Sequence, residues 1–285
     1  MKYTAPRTIE QTCELLAANP GARVFAGATD VLPQAKAGRA LPELLIDLKR
    51  IPRLVETTRG DEWVIGAATP AATVMSDSEF RADYPGIAEG FALIGSDQIQ
   101  NRATLGGNLC NASPAADTGP AMVVNDARAV IASSAGMRTI PVAELMVGPG
   151  RTSLADGEFV VEFLLTRPEA GRSDAYLRMT PRTEMDIAVV GAAVRVTLDD
   201  AGVCTDAAVA LGAVAPTVVT VDGVAEALRG RVIDDDALEE VATLSRAVCR
   251  PIDDKRGTKE YRTQVAGVLA KRAMAIAVSR AGGTR

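Results

Sequence analysis

Hydrophobic positions along this 285-residue chain fall into short runs separated by polar, glycine-rich connections. Thr8-Ile9-Glu10-Gln11 has the spacing of a capping box, Leu15 and Leu16 follow, and Gly21 closes the segment, so a helix is predicted over 8–18. Arg23-Val24-Phe25-Ala26 reads as a short buried strand, and Gly27 to Asp30 as a loop leading to a weak helical turn before Gly38. Leu44-Leu45-Ile46-Asp47 gives another strand, followed by a turn through Ile51-Pro52. A strand over 63–67, a helix opened by Thr69-Pro70 and a helix over 86–93 come next, with Pro placed at a first helical turn. Pro114 begins a short helix through Val123, strands follow over 128–132 and 139–140, and 158–165 is the clearest strand of this half.

The polar, turn-forming segment Arg167-Pro168-Glu169-Ala170-Gly171-Arg172-Ser173 marks a domain boundary. Strands are predicted beyond it over 175–179, 188–198 and 207–211, with helices over 217–228, 235–247 and 258–281. In the last of these Tyr261, Val265, Val268, Leu269 and Ile276 share one face, a spacing that reads as core. Strands followed by a helical run indicate an α+β tail domain. The resulting division is 1–55, 56–170 and 171–285.

Composition narrows the classes. Hydrophobic residues at 47% and charged residues at 24% describe a globular chain with a packed core. The balance of 31 basic against 36 acidic residues, net −5, argues against a nucleic-acid partner, which needs a clustered basic face. No apolar run is long enough to span a membrane and the N-terminus has no signal-peptide core, so the expected location is the cytoplasm. Cys13, Cys110, Cys204 and Cys249 show no C-x-x-C spacing, so they read as buried reduced thiols and no metal site is expected in this chain. Histidine is absent, which removes Ser-His-Asp and Cys-His catalysis and a His-linked covalent cofactor together. Any chemistry requires a borrowed cofactor, and no catalytic residue is assigned.

The stretch from Gly95 to Pro120 changes the picture further. Gly106-Gly107, Asn108, Asn111, Ser113-Pro114 and the single carboxylate Asp117 make a poor core strand, and they suit either a long surface connection or a backbone that a ligand approaches closely. Phe25-Ala26-Gly27-Ala28-Thr29-Asp30 is a second loop of the same character.

Four motifs in order, Ala26-Gly27-Ala28-Thr29-Asp30, Thr104-Leu105-Gly106-Gly107-Asn108 with Asp117 nine residues on, Leu211 to Thr217, and Arg256 to Arg262, cover nearly the whole chain. Together they resemble the FAD-binding medium subunit of molybdenum hydroxylases, the group that includes xanthine dehydrogenase and aerobic carbon monoxide dehydrogenase. The resemblance implies a fold of the p-cresol methylhydroxylase type: two α+β FAD-binding subdomains holding the cofactor, plus an α+β C-terminal domain. It places the first cofactor loop at Ala26, Gly27, Ala28, Thr29, Asp30, Val31, Leu32 and Pro33, whose backbone N–H groups would form an anion nest for the pyrophosphate. The second loop, Thr104, Leu105, Gly106, Gly107 and Asn108, would lie against diphosphate and flavin, with Asp117 accepting hydrogen bonds from the cofactor. Ile94 and Val160 fall at apolar contact positions and Arg178 at a basic position near the flavin. Read from the residues alone, Ile94 and Val160 suit the core equally well, and Arg178 suits a solvated surface.

The family often has Gly-Gly where this chain has Gly27-Ala28, so Ala28 must avoid the left-handed region or bear strain. The cysteine-bearing insertion of the related hydroxybenzoyl-CoA reductase subunit is missing, and no 4Fe-4S cluster is expected. The implied function is electron transfer through a non-covalent FAD. The molybdenum cofactor would sit in a large partner subunit and 2Fe-2S clusters in a small one, as a dimer of heterotrimers. Alternatives are a free-standing FAD-dependent reductase or oxidase of the same fold, such as the enolpyruvyl-sugar reductase of cell-wall synthesis, or a flavin-free scaffold.

Overall fold

The computed structural model describes residues 1–182 and 185–282. Contacts group them into two compact units. The first comprises 1–76, 96–112 and 127–166, and the second 77–95, 113–126 and the chain from Arg167 onward. Each mixes helices and strands, so the chain is α+β.

In the first unit Leu44–Asp47 lies between Lys2–Thr4 and Arg23–Phe25 in a parallel three-stranded sheet. The helix Ile9–Ala18 precedes the third of these strands. Thr8 Oγ1 accepts from the Gln11 amide at 3.2 Å, and Gln11 Oε1 accepts from the Arg7 amide at 2.9 Å, so the capping box closes one residue early. The second sheet is antiparallel, in the order Thr57–Arg59, Glu62–Gly66, Phe159–Thr166, Arg128–Ser133, Gly136–Pro141. Phe159–Thr166 is central and lacks polar alternation because both of its faces are buried. Its buried carboxylate, Glu162, accepts two bonds from Arg53 at 2.7 and 2.5 Å, which offsets the cost of burying the charge. Leu54, Ala68, Phe159 and Val161 pack into one cluster that also holds Ala26, so the first glycine loop starts from a fixed point in the core.

In the second unit an antiparallel sheet runs Arg172–Met179, Val190–Leu198, Cys204–Gly212, Val219–Thr220. Val190, Ala192, Val194, Val196 and Leu198 pack with the helices Asp235–Val248 and Lys259–Arg280, while Pro85–Ala92 and Thr118–Val124 also pack on the sheet. Burial on both faces explains why strand 190–198 shows no alternation.

Several expectations are corrected here. The helix expected over 217–228 is a short strand, Val219–Thr220, and a helix only from Val224 to Leu228. Valine and threonine favour extended backbone there, and Gly223 at φ +84° breaks the chain direction before the helix. Arg172 and Ser173, read as turn, are already in the strand Arg172–Met179. Between Gly95 and Pro120 the glycine-rich stretch contains two short helices, Asp97–Gln100 and Leu105–Cys110, and the helix expected from Pro114 starts at Thr118. On the terminal helix Leu269 is buried and Val265 and Ile276 pack against the core as expected, but Tyr261 and Val268 are 43% exposed, and the inner face is completed by Arg262, Ala266, Ala270, Ala273, Met274 and Ala277. Cys110 is only half-buried, unlike Cys13, Cys204 and Cys249.

Candidate functional site

Strand Arg23–Phe25 delivers the chain into the turn Gly27–Asp30, and the helix Val31–Lys36 follows. Lys49 anchors the entry: its Nζ donates to the Ala26 carbonyl at 2.8 Å and to Asp47 Oδ1 at 2.6 Å, and stands 4.6 Å from the centre of the Phe25 ring. Asp47 is in turn held by the Tyr3 hydroxyl at 2.8 Å. Gly27 is needed for space, since a Cβ there would lie 1.9 Å from the Arg102 carbonyl oxygen. Ala28 takes the left-handed conformation at φ +65°, so it bears the strain that its Cβ implies. Its amide and those of Thr29 and Asp30 donate to no acceptor among the described residues. Consecutive amides around a left-handed residue form a nest for an anion.

The second loop begins at Thr104, whose Oγ1 accepts from the Gly107 amide at 3.0 Å and starts the helix Leu105–Cys110. Gly106 donates its amide to the Ala67 carbonyl at 3.1 Å, and a Cβ on it would lie 2.5 Å from that oxygen. Gly106 is therefore required by close backbone packing against Ala67, a reason the sequence did not show. Gly107 is exposed, and its Cβ would meet only the Thr104 hydroxyl, at 3.2 Å. The two loops are joined by Asn111, which donates to Asp30 Oδ1 at 3.2 Å and accepts from Gln34 Nε2 at 3.0 Å.

Between them opens a cleft of about 320 Å³ bordered by Ala26 to Val31, Thr104, Gly107 and Asn111. A smaller apolar recess of about 100 Å³ continues past Val24, Gly106, Gly107 and Val160. Leu32 and Pro33 are exposed on the helix beyond the turn, Leu105 is fully buried and Asn108 is half-buried, and none of these four borders the cleft. Cys110 does border it, and burial pushes its thiol up to about 12, so it stays protonated and unreactive. Burial also raises Asp30 above the usual carboxylate range, against the attraction of Arg23.

Ile94, Asp117 and Arg178 belong to the second unit. Asp117 accepts from the Tyr176 hydroxyl at 2.9 Å and from Arg178 at 2.7 Å, and the Arg178 side chain is only 4% exposed. Arg178 is thus half of a buried ion pair, which replaces the solvated-surface reading of that residue. Burial raises the Asp117 carboxyl while Arg178 and Tyr176 oppose the shift; Tyr176 itself is raised by burial and by the Asp117 charge beside it. Ile94 is half-buried at the end of the segment 77–95. Sequence reasoning missed Lys49, Tyr176, Gln34 and Arg23. The contacts that tie Lys49 to Ala26, Gln34 to Asn111 and Tyr176 to Asp117 span 23 residues or more, Arg23 is placed only by the cleft it borders, and no local pattern marks any of them.

Among the described residues no group of His, Cys, Asp and Glu could hold a metal, and no helix is long and apolar enough to cross a membrane. Residues 1–167 match the family model described as the FAD binding domain in molybdopterin dehydrogenase, and residues 175–277 match the CO dehydrogenase flavoprotein C-terminal domain. The carbon monoxide dehydrogenase medium chain of Hydrogenophaga pseudoflava is 32% identical over 281 residues, covering 98% of this chain and 97% of the relative. The xanthine dehydrogenase FAD-binding subunit of Escherichia coli O157:H7 is 29% identical over 284 residues, covering 99% and 97%. Among solved structures, carbon monoxide dehydrogenase from Hydrogenophaga pseudoflava superposes with a TM-score of 0.93 at 32% identity over 98% of both chains. Quinoline 2-oxidoreductase from Pseudomonas putida 86 gives 0.92 at 28% identity over 99% of this chain and 98% of that one. With both domain models matched in order over nearly its full length, the chain belongs to the family of FAD-binding subunits of molybdenum-containing dehydrogenases.

Proposed function

We propose that this subunit takes electrons from the 2Fe-2S clusters of a small partner subunit and passes them to an external acceptor, while a large partner subunit carries the molybdenum cofactor and transforms the substrate. The assembly in this reading is a dimer of heterotrimers in the cytoplasm. FAD supplies the redox chemistry, because a flavin links one-electron and two-electron carriers. The residues of this chain bind and orient it.

The observation that supports the reading most strongly is the free row of amides at Ala28, Thr29 and Asp30, held at the mouth of a cleft. Three donors without acceptors among the described residues suit a diphosphate, and Ala28 accepts a strained backbone to present them. Gly107 and Thr104 border the same cleft, and Val160 lines the recess behind it, so these residues would hold the non-covalent cofactor. In the second unit Asp117 has both carboxylate oxygens fixed, one by Tyr176 and one by Arg178, with a lone pair left on each. That geometry suits acceptance from flavin N–H or ribityl O–H groups, with Arg178 supplying a buried positive charge and Ile94 an apolar contact.

The test is affinity purification of the tagged chain from its native cells, followed by molybdenum, iron and flavin analysis of the eluate. All three are expected to elute together with a large and a small chain. A flavin-containing chain that elutes alone, free of molybdenum and iron, overturns the electron-transfer assignment.

A further inference from the structure

The cleft of the first unit is bordered by three carboxylates, Asp30, Asp156 and Glu158, and by one basic residue, Arg23. Glu158 is already engaged, accepting two bonds from Arg138 at 2.7 Å each and one from the Ala155 amide at 2.8 Å. Asp30 accepts from Asn111. Arg23 is half-buried and makes no hydrogen bond or ion pair with any described residue. Partly desolvating a guanidinium without a hydrogen-bonded partner is unfavourable, and burial together with the repulsion of Arg39 depresses its basicity against the attraction of Asp30. A dianionic ligand would reverse both effects, and without this cation the acidic border would repel such a ligand.

Position points to the group it meets. Arg23 opens the strand that leads into the Gly27–Asp30 turn, four residues upstream of Gly27, or roughly 13 Å of extended chain. Its planar fork of donors matches phosphate oxygens two at a time. Arg23 and the Gly27–Asp30 turn border the same cleft, so on the reading that the turn amides take the diphosphate, the guanidinium is the cation that shares the cleft with it. We propose that Arg23 binds the adenylyl phosphate of the dinucleotide and so makes the first unit selective for FAD over FMN. The inference rests on the cofactor reading above and adds to it a residue outside both glycine loops.

The experiment measures dissociation constants of the full-length apoprotein for FAD, FMN and ADP, by flavin fluorescence quenching and by competition. Unaltered chain, Arg23→Gln and Arg23→Lys are compared, with the circular dichroism spectrum as the folding control. Arg23→Gln is expected to weaken FAD and ADP about 10- to 100-fold, the range for a lost charge-assisted hydrogen bond, and to leave FMN unchanged. Arg23→Lys is expected to lie between. Equal losses for FAD and FMN, or no loss for FAD, overturn the assignment. Should Arg23→Gln fail to fold, Arg23→Lys and the competition of ADP with FAD on the unaltered chain decide, and absence of competition overturns it. If the unaltered chain binds no FAD at all, the cofactor reading itself fails, a result distinct from failure at Arg23.

Discussion

Replacing Gly27 by alanine adds one methyl group at the tightest point of the first loop. The new Cβ would stand 1.9 Å from the Arg102 carbonyl oxygen and 2.6 Å from its carbon, both backbone atoms that no rotamer change can move aside. Ordinary contact begins near 3.4 Å, so the loop and the 102–103 segment must separate by about 1.5 Å, the difference from the 1.9 Å approach. Overpacking of this kind costs about 1–3 kcal/mol of stability. Function should suffer more, because the same shift moves the amides of Ala28, Thr29 and Asp30 relative to Thr104 and Gly107. Loss of one charge-assisted hydrogen bond, about 1.5–3 kcal/mol, weakens FAD binding roughly 10- to 150-fold. The neighbouring change, Ala28→Gly, acts in the opposite direction. It releases about 1–2 kcal/mol of left-handed strain and forfeits about 0.5–1 kcal/mol through the extra freedom of the unfolded chain, for a net gain near 0.5–1 kcal/mol. Both variants are read by FAD titration of the apoprotein and by the urea midpoint. Gly27→Ala protein with unaltered affinity and midpoint would refute the packing argument, and Ala28→Gly protein less stable than the original would refute the strain argument.

Gly107 borders the cleft and a Cβ there meets only the Thr104 hydroxyl, so in Gly107→Val flavin content should fall to near zero while the melting temperature changes by a few degrees at most; retained flavin would show that this glycine does not face the cofactor. Asp174 is buried, accepts from the Gly86 amide at 2.9 Å and from Asn125 at 2.6 Å, and has its carboxyl raised by burial from 3.8 to about 6. A raised carboxyl stabilises the fold fully below its unfolded value of 3.8 and loses that contribution as pH rises through about 6, a change of roughly 3 kcal/mol for this shift. Asp174→Asn should therefore flatten the pH dependence of the urea midpoint between pH 4 and 7, and an unchanged slope would exclude Asp174 as its source.

What the sequence made legible is what short-range chemistry determines. The capping box at Thr8, the strand before Gly27 and the apolar run at 159–165, broken only by Glu162, all carry local signals strong enough to survive folding. Both glycine loops were recognisable, yet the reasons for individual glycines were not, because Gly27 answers to Arg102 and Gly106 to Ala67, partners brought in by tertiary structure. The terminal helix was legible in part. Of its large apolar stripe Leu269 is core and Val265 and Ile276 pack against it, while Tyr261 and Val268 are exposed because the buried face is centred on the neighbouring alanines, and Arg262 on that face donates to the carbonyls of Val189 and Ala213. Arg178 read equally well as a surface charge until Asp117 was seen beside it, 61 residues away in the chain. Likewise Lys49 and Arg23 acquire meaning only once Ala26 and the cleft exist.

Reconstitution of the apoprotein with FAD tests the central claim most directly. Flavin removed at acid pH is added back under equilibrium dialysis, and the account predicts saturation at one FAD per chain, with binding abolished in Gly107→Val protein that keeps its fold. Folded, unaltered chain that takes up no FAD across the titration would contradict it.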